Sequence, residues 1–301
     1  MADTKPPDGP PTPLGTAEEL ADVWTRFRGG AMVHCPADDG PLALAVDGAA
    51  GAYRFVCTNC GLASPWFEAG GLSVLLAGGA DREGGGDGPL VVLLHGFGAP
   101  GDDLAPLWRV IDAPAGTRWA FPAAPLALEG MGYGGRAWWM VDIERLIGSG
   151  ERGDRDQLAR EAPPGMSEAH ARVVAMLDDL DARLKPPKVV LGGFSQGAML
   201  ACDVALRTDR ALAGVALLSG TLVAHDEWGP LAPRRRGLPV FQSHGTEDPI
   251  LPYAQAEKLR DMLREAGAEV TWVPFRGAHA IPGTVTDGLG RWMRTTLRAS
   301  P

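Results

Sequence analysis

The chain has 301 residues, 45% of them hydrophobic, with 28 basic and 37 acidic side chains and a formal net charge of −9. That length admits one sizeable core plus a small second unit, and the ordinary apolar fraction excludes a disordered or fibrous protein. The acidic balance and lack of a long basic run speak against a nucleic-acid partner, and no apolar stretch is long enough to span a bilayer, so no membrane partner is expected.

Residues 1–15 carry Pro6, Pro7, Pro10, Pro11 and Pro13 and are expected to form a flexible tail. The opening Met1-Ala2-Asp3-Thr4-Lys5 has no apolar signal region, which predicts a cytoplasmic protein. Thr16, followed by Glu18 and Glu19, starts a predicted short helix running to Phe27. Cys57-Thr58-Asn59-Cys60-Gly61 then reads as a metal-type knuckle, and Cys35-Pro36-Ala37-Asp38 is its partner if Asp38 replaces a second cysteine. The intervening stretch 39–56 has zinc-ribbon length and contains two strand-like runs, Leu42–Val46 and Tyr53–Val56.

Residues 16–70 are therefore expected to form a short helix and a zinc-ribbon-like module. Two readings of it stay open. A structural zinc would sit on Cys35, Cys57 and Cys60 with Asp38 or His34 as fourth ligand; a ribbon that has lost its metal would pack Trp66 and Phe67 instead. Any such metal would be structural, because a closed ligand set has no position for substrate.

Residues 71–301 alternate strands with helices, the pattern of an α/β fold with a mostly parallel sheet covered on both faces. The predicted strands are Leu72–Leu76, Leu90–Leu94, Trp119–Phe121, Val189–Leu191, Leu212–Leu218, Leu238–Gln242 and Val270–Phe275. Helices are expected over Ser167–Leu184, with Ser167 as cap, over Ala198–Leu206, Tyr253–Ala266 and Thr286–Leu297. Gly78–Gly88 reads as a loop or hairpin turn. Asp102 and Asp103 are expected to cap the helix that follows the glycine-rich loop His95–Gly101. Residues 143–165 form a charged excursion, either solvated or a flap. Arg234-Arg235-Arg236 reads as a solvated loop, and Cys202 as a buried structural thiol.

Chemistry enters at Gly193-Phe194-Ser195-Gln196-Gly197, which joins an apolar strand to a helix. A serine on so tight a turn leaves no room for side chains at its flanks, hence the glycines, and the pattern makes Ser195 a candidate nucleophile. The partners of such a serine follow it as acid, then histidine. Asp248 lies on a loop after the strand at Leu238–Gln242, and His279 is the one histidine beyond it. His279 would take the serine proton and Asp248 would hold the imidazole tautomer. The oxyanion donors would be the backbone N–H groups of Gln196 and of Phe97, the latter in the loop His95-Gly96-Phe97-Gly98-Ala99-Pro100-Gly101. His95 and His244 read as loop-orienting residues. The bulky set Met131, Tyr133, Trp138, Trp139 and Met140 offers candidates for substrate binding, Trp138 and Trp139 foremost, with core packing as the alternative.

Leu94-His95-Gly96-Phe97-Gly98, the elbow at Ser195, His244-Gly245-Thr246-Glu247-Asp248-Pro249, Gly277-Ala278-His279 and Arg136-Ala137-Trp138-Trp139-Met140-Val141-Asp142 together resemble the phospholipase/carboxylesterase family of α/β-hydrolases, over about residues 89–298. The resemblance implies cofactor-free hydrolysis of carboxylic esters or thioesters by Ser195, Asp248 and His279, with a small-molecule ester as the substrate. An acyl-protein thioesterase or lysophospholipase is the alternative activity. A binding protein with a non-catalytic hydrolase scaffold is the alternative of a different class. Neither oligomeric state nor natural substrate is legible.

Overall fold

The computed structural model describes residues 31–47, 52–64, 72–128, 134–141 and 155–298, with 20, 22–23 and 26–27 before them. The tail 1–15, Trp66 and Phe67, Met131, Tyr133, Asp142 and most of the 143–165 excursion lie outside the described residues. The chain divides into two compact units, Met1–Gly71 and Leu72–Pro301.

The first unit holds one antiparallel hairpin. Its strands β1 (Leu42–Asp47) and β2 (Ala52–Cys57) pair from Leu42 opposite Cys57 to Asp47 opposite Ala52. Leu20, Val33, Cys35, Leu42, Phe55 and Cys57 form its buried cluster.

In the second unit β3 (Val74–Gly78), β4 (Leu90–Leu94), β5 (Arg118–Pro122), β8 (Val189–Phe194), β9 (Gly214–Leu218), β10 (Pro239–Gly245) and β11 (Glu269–Phe275) form one sheet in the order β11-β10-β9-β8-β4-β5-β3. All neighbours are parallel except the edge strand β3, which runs antiparallel to β5. Because β5 separates β3 from β4, the segment 78–88 is a loop and not a hairpin turn. A short pair, β6 (Leu126–Ala127) and β7 (Arg136–Ala137), lies outside the large sheet.

The unbroken apolar runs of the central strands follow from burial on both faces. In β4, Leu90, Val92 and Leu94 enter one core cluster while Val91 and Leu93 enter the other, the two-residue alternation of a strand. The first face is covered by α3 (Met166–Leu184) and α4 (Gln196–Arg207), with Leu259 and Leu263 of α6 (Tyr253–Glu265). The second is covered by α7 (Gly283–Thr296) through Val285, Leu289, Trp292 and Met293. Short helices α1 (Leu107–Val110), α2 (Arg155–Leu158) and α5 (His225–Leu231), with a 3-10 turn over Ala232–Arg235, also belong to this unit. Among the described residues no helix is long and apolar enough to cross a membrane.

Two helix caps differ from expectation. Helix α3 begins at Met166, its cap is Gly165 in the left-handed region (φ 84°), and Ser167 sits inside the helix. A Cβ at Gly165 would fall 3.1 Å from that of Trp139, so packing there favours glycine over a capping side chain. Asp102 and Asp103 lie in turns, and the helix that follows them starts beyond Pro106 without a side-chain cap.

A buried ion cluster fixes α4 to its neighbours. Asp203 accepts from His170 Nδ1 (2.8 Å), Arg207 Nε (2.6 Å) and Trp228 Nε1 (2.8 Å). Burial pushes its carboxyl up, but the hydrogen bonds from His170, Trp228 and Arg207 outweigh that and hold it below the usual carboxylate range. Asp203→Ala is expected to cost about 3 kcal/mol, since the buried Trp228 indole and His170 lose their acceptor while Arg207 keeps Glu227. Urea unfolding checks this; a loss below about 0.5 kcal/mol, the usual scatter of surface substitutions, would refute it.

Candidate active site

The parallel register delivers the site loops to one end of the sheet. Leu94 of β4 lies opposite Gly193 of β8, and Gly245 of β10 opposite Phe275 of β11. The loops carrying Phe97, Ser195, Asp248 and His279 thus all leave from the carboxyl ends of their strands, where open parallel sheets bind ligands.

Ser195 stands between β8 and α4 at φ 55°, ψ −118°. Such a conformation costs a non-glycine residue about 1–3 kcal/mol, so its surroundings must impose it. Ser195 N–H donates to Leu218 O (2.8 Å), while Ala198 and Met199 donate back to Ser195 O. The flanking glycines have a steric cause. A Cβ on Gly193 would lie 2.4 Å from the Gly197 carbonyl carbon, and one on Gly197 would lie 2.1 Å from Leu94 O. Strand, helix and the adjacent strand meet here backbone to backbone. The loop after β4 also comes close, since a Cβ on Gly96 would sit 3.4 Å from Ser195 Cβ.

Asp248 and His279 are joined. His279 Nδ1 lies 2.6 Å from Asp248 Oδ2, while Asp248 Oδ1 accepts from Ile250 N–H and Leu251 N–H, both at 2.9 Å. Burial pushes the Asp248 carboxyl up, but the bonds from His279, Leu251 and Ile250 outweigh it and hold the pKa below the usual range. An ionised carboxylate is an acceptor only, so Nδ1 of His279 is the donor in this bond. The two loops are tied by Thr246 N–H to Phe275 O and Glu247 N–H to Gly277 O, each 2.9 Å. The His279 ring rests on Phe194, centroid to centroid 4.7 Å, next to Ser195 in the chain. Among the described residues Ser195 Oγ makes no hydrogen bond.

His244 belongs to the last turn of pleat in β10, fully buried, not to the loop. Its Nε2 lies 2.8 Å from Leu251 O and 3.3 Å from Asp248 Oδ2, and burial lowers its pKa, keeping the ring neutral. It braces the Asp248 loop from beneath.

Among the described residues neither Phe97 N–H nor Gln196 N–H meets an acceptor, whereas Gly98 N–H is taken by Arg136 O (2.8 Å). His95 shapes this loop: Ala124 N–H donates to its Nε2 (2.9 Å), which leaves Nδ1–H to donate to Gly96 O (2.8 Å). Its burial lowers its pKa, consistent with that neutral tautomer.

Trp138 and Trp139 are interior residues, 1% and 2% exposed, within the larger core cluster. Trp138 Nε1 donates to His95 O (2.9 Å), so what the tryptophans contribute in this structure is a floor under the loop rather than an open surface. Their backbone is gripped by the Gln196 side chain, whose Oε1 accepts from Trp138 N–H (2.9 Å) and whose Nε2 donates to Trp139 O (2.8 Å). This bracing role of the Gln196 side chain is not among those the sequence suggests. Its signal was a lone amide heading a helix that is otherwise almost wholly apolar and buried, where a polar group must find partners.

Residues 84–296 match a family model described as phospholipase/carboxylesterase. The chain belongs to this family. It is accordingly a hydrolase acting on esters, built on the α/β-hydrolase fold. Acyl-protein thioesterase 1 of Neurospora crassa is 28% identical over 193 residues, 62% of this chain and 78% of that protein. A probable carboxylesterase of Oryza sativa subsp. japonica is 28% identical over 216 residues, 70% of this chain and 78% of the relative. Among solved structures, esterase PE8 aligns over 75% of this chain and 100% of its own with 29% identity and a TM-score of 0.64. The Bacillus cereus carboxylesterase, 23% identical with a TM-score of 0.56 over 75% of this chain and 94% of its own, shares the fold.

Proposed function

We propose that this family member is a serine carboxylesterase in which Ser195, His279 and Asp248 act as a catalytic triad. The observation that carries the reading is the 2.6 Å Asp248–His279 bond beside a serine held at positive φ. His279 Nε2 takes the Ser195 proton as Oγ bonds to the ester carbonyl carbon. The resulting oxyanion accepts from the N–H groups of Phe97 and Gln196, each such donor contributing roughly 3–4 kcal/mol. The C–O bond to the alcohol breaks, and the imidazolium returns the proton to the leaving oxygen. Water, deprotonated by the same imidazole, then cleaves the acyl-enzyme and restores the serine. The structure's buried Trp138 and Trp139 serve this reading by supporting the oxyanion loop.

A second activity is favoured by the name of the Neurospora crassa relative, acyl-protein thioesterase 1. Labelling with a fluorophosphonate probe, followed by a matched ester and thioester series from acetyl to palmitoyl, tests both. One label per chain at Ser195 and preference for short oxygen esters are expected. Palmitoyl-thioester preference would move the reading to thioesterase, and an unlabelled chain would leave a non-catalytic scaffold.

A further inference from the structure

The first unit carries a group of side chains that ester cleavage does not use. Cys35, Asp38, Cys57 and Cys60 place their ligand atoms within 4.8 Å of one another. The hairpin register explains the convergence. Cys57 closes β2 opposite Leu42, which opens β1, so the turn before the hairpin and the turn after it emerge at the same end.

The two turns repeat one another. Asp39 N–H donates to Cys35 O (2.9 Å), and Gly61 N–H donates to Cys57 O (3.1 Å), in each case four residues on from a cysteine. The fifth residue of each turn is left-handed, Asp39 at φ 56° and Gly61 at φ 74°. Asp39 holds this conformation although it carries a Cβ, at a cost of order 1–2 kcal/mol. By this correspondence Asp38 stands where Cys60 stands in the second turn. His34, the other candidate for fourth ligand, is turned away, with Nδ1 on Asp39 O at 2.9 Å.

Two of the separations lie near those of a metal site. Tetrahedral thiolates about 2.3 Å from zinc are about 3.8 Å apart, and a carboxylate oxygen at about 2.1 Å is about 3.6 Å from each sulfur. Cys35 Sγ and Cys60 Sγ are separated by 3.8 Å, and Cys57 Sγ lies 3.3 Å from Asp38 Oδ1. The N–H groups of Asn59 and Cys60 point at Cys57 Sγ from 3.4 and 3.5 Å, the donor arrangement that suits a thiolate. Gly40 makes room: a Cβ there would fall 2.7 Å from Asn59 Cβ and 3.0 Å from Cys57 Sγ. Two of the six residues in this unit's buried cluster are themselves ligand cysteines, and a lone hairpin is marginal in water, so a cross-link has a structural purpose.

We propose that Cys35, Asp38, Cys57 and Cys60 bind one Zn2+ tetrahedrally and that this ion holds the two turns of the N-terminal hairpin together. Three thiolates select zinc over the harder magnesium and calcium ions. The closed ligand set keeps the ion out of ester chemistry.

The test uses the full chain, purified without chelator under reducing conditions and then exposed to Zn2+. Plasma mass spectrometry is expected to find one zinc per chain. Anaerobic Co2+ added to stripped protein should give tetrahedral d–d bands with a thiolate charge-transfer band that saturate at one equivalent and vanish when Zn2+ is added. Removing an outer-shell partner already costs about 10–100-fold in affinity, so Cys57→Ser and Cys60→Ser should each lose at least that much, and Asp38→Ala likewise, in competition with a chromogenic chelator. Asp38→Cys should restore or tighten binding, which a variant that merely failed to fold could not do. Less than half an equivalent of zinc after reconstitution, an absent charge-transfer band, a Cys35–Cys60 disulfide in the folded chain, or unchanged affinity in Asp38→Ala would each overturn the proposal. Fluorophosphonate labelling of Ser195 in the stripped protein is expected to persist, so its outcome tests the esterase reading separately.

Discussion

Ser195→Ala is expected to lower kcat/KM for p-nitrophenyl acetate by about 10^5–10^6-fold, equivalent to roughly 7–8 kcal/mol of transition-state stabilisation. In the proposed mechanism the loss is this large because no other group forms the acyl bond. His279 without a serine to deprotonate retains no covalent route, and only the oxyanion donors and binding remain, worth about 10^3–10^4 over water. The fold should not notice the change. Ser195 Oγ makes no hydrogen bond among the described residues and does not cap α4, so the urea midpoint should move little. Activity within tenfold of the parent, measured on protein whose labelling by fluorophosphonate is abolished, would remove Ser195 from the chemistry. Adding His279→Ala to the variant should cost little more, because residues that act as one unit are non-additive.

Much of this arrangement was legible in the residues, for identifiable reasons. Strands β4, β8 and β9 are buried on both faces, so they read as plain apolar runs. The elbow glycines are forced by contacts as short as 2.1 Å between backbones and Cβ positions, a constraint strong enough to leave its mark in composition. Where side chains have partners distant in sequence, the reading fell short. Strand β10 runs on through Ser243 and His244 to Gly245, because His244 finds Leu251 O and Asp248 within the fold and so tolerates burial that a polar residue otherwise resists. Asp203 is buried for the same kind of reason, its three donors lying 4 to 33 residues away. Helix α5 carries Pro230, which argues against a helix locally, yet packing of Trp228 on Asp203 fixes it there. The capping roles given to Ser167 and Asp102 failed because Gly165 and Pro106 hold those positions.

Asp248→Asn should reduce kcat by about 10^4-fold while leaving KM nearly unchanged, the size of effect seen when the orienting acid of such a triad becomes an amide. The surroundings of Asp248 dictate why. Its Oδ1 receives the N–H groups of Ile250 and Leu251, and so the amide oxygen of the variant must take that place. The amide nitrogen then occupies the Oδ2 position, facing His279 Nδ1. A donor there forces Nδ1 to accept, and the ring proton of neutral His279 moves to Nε2. An imidazole protonated at Nε2 cannot receive the Ser195 proton, and the imidazolium that would form has lost its counter-charge. The same amide would point a donor at His244 Nε2–H, 3.3 Å from Oδ2, so stability should fall as well. His244→Phe in the variant removes that clash of donors without touching His279. It also removes the bond to Leu251 O, so stability should not return to the parent value, and none of the lost turnover should return; recovery of turnover instead would place the catalytic function of Asp248 with His244.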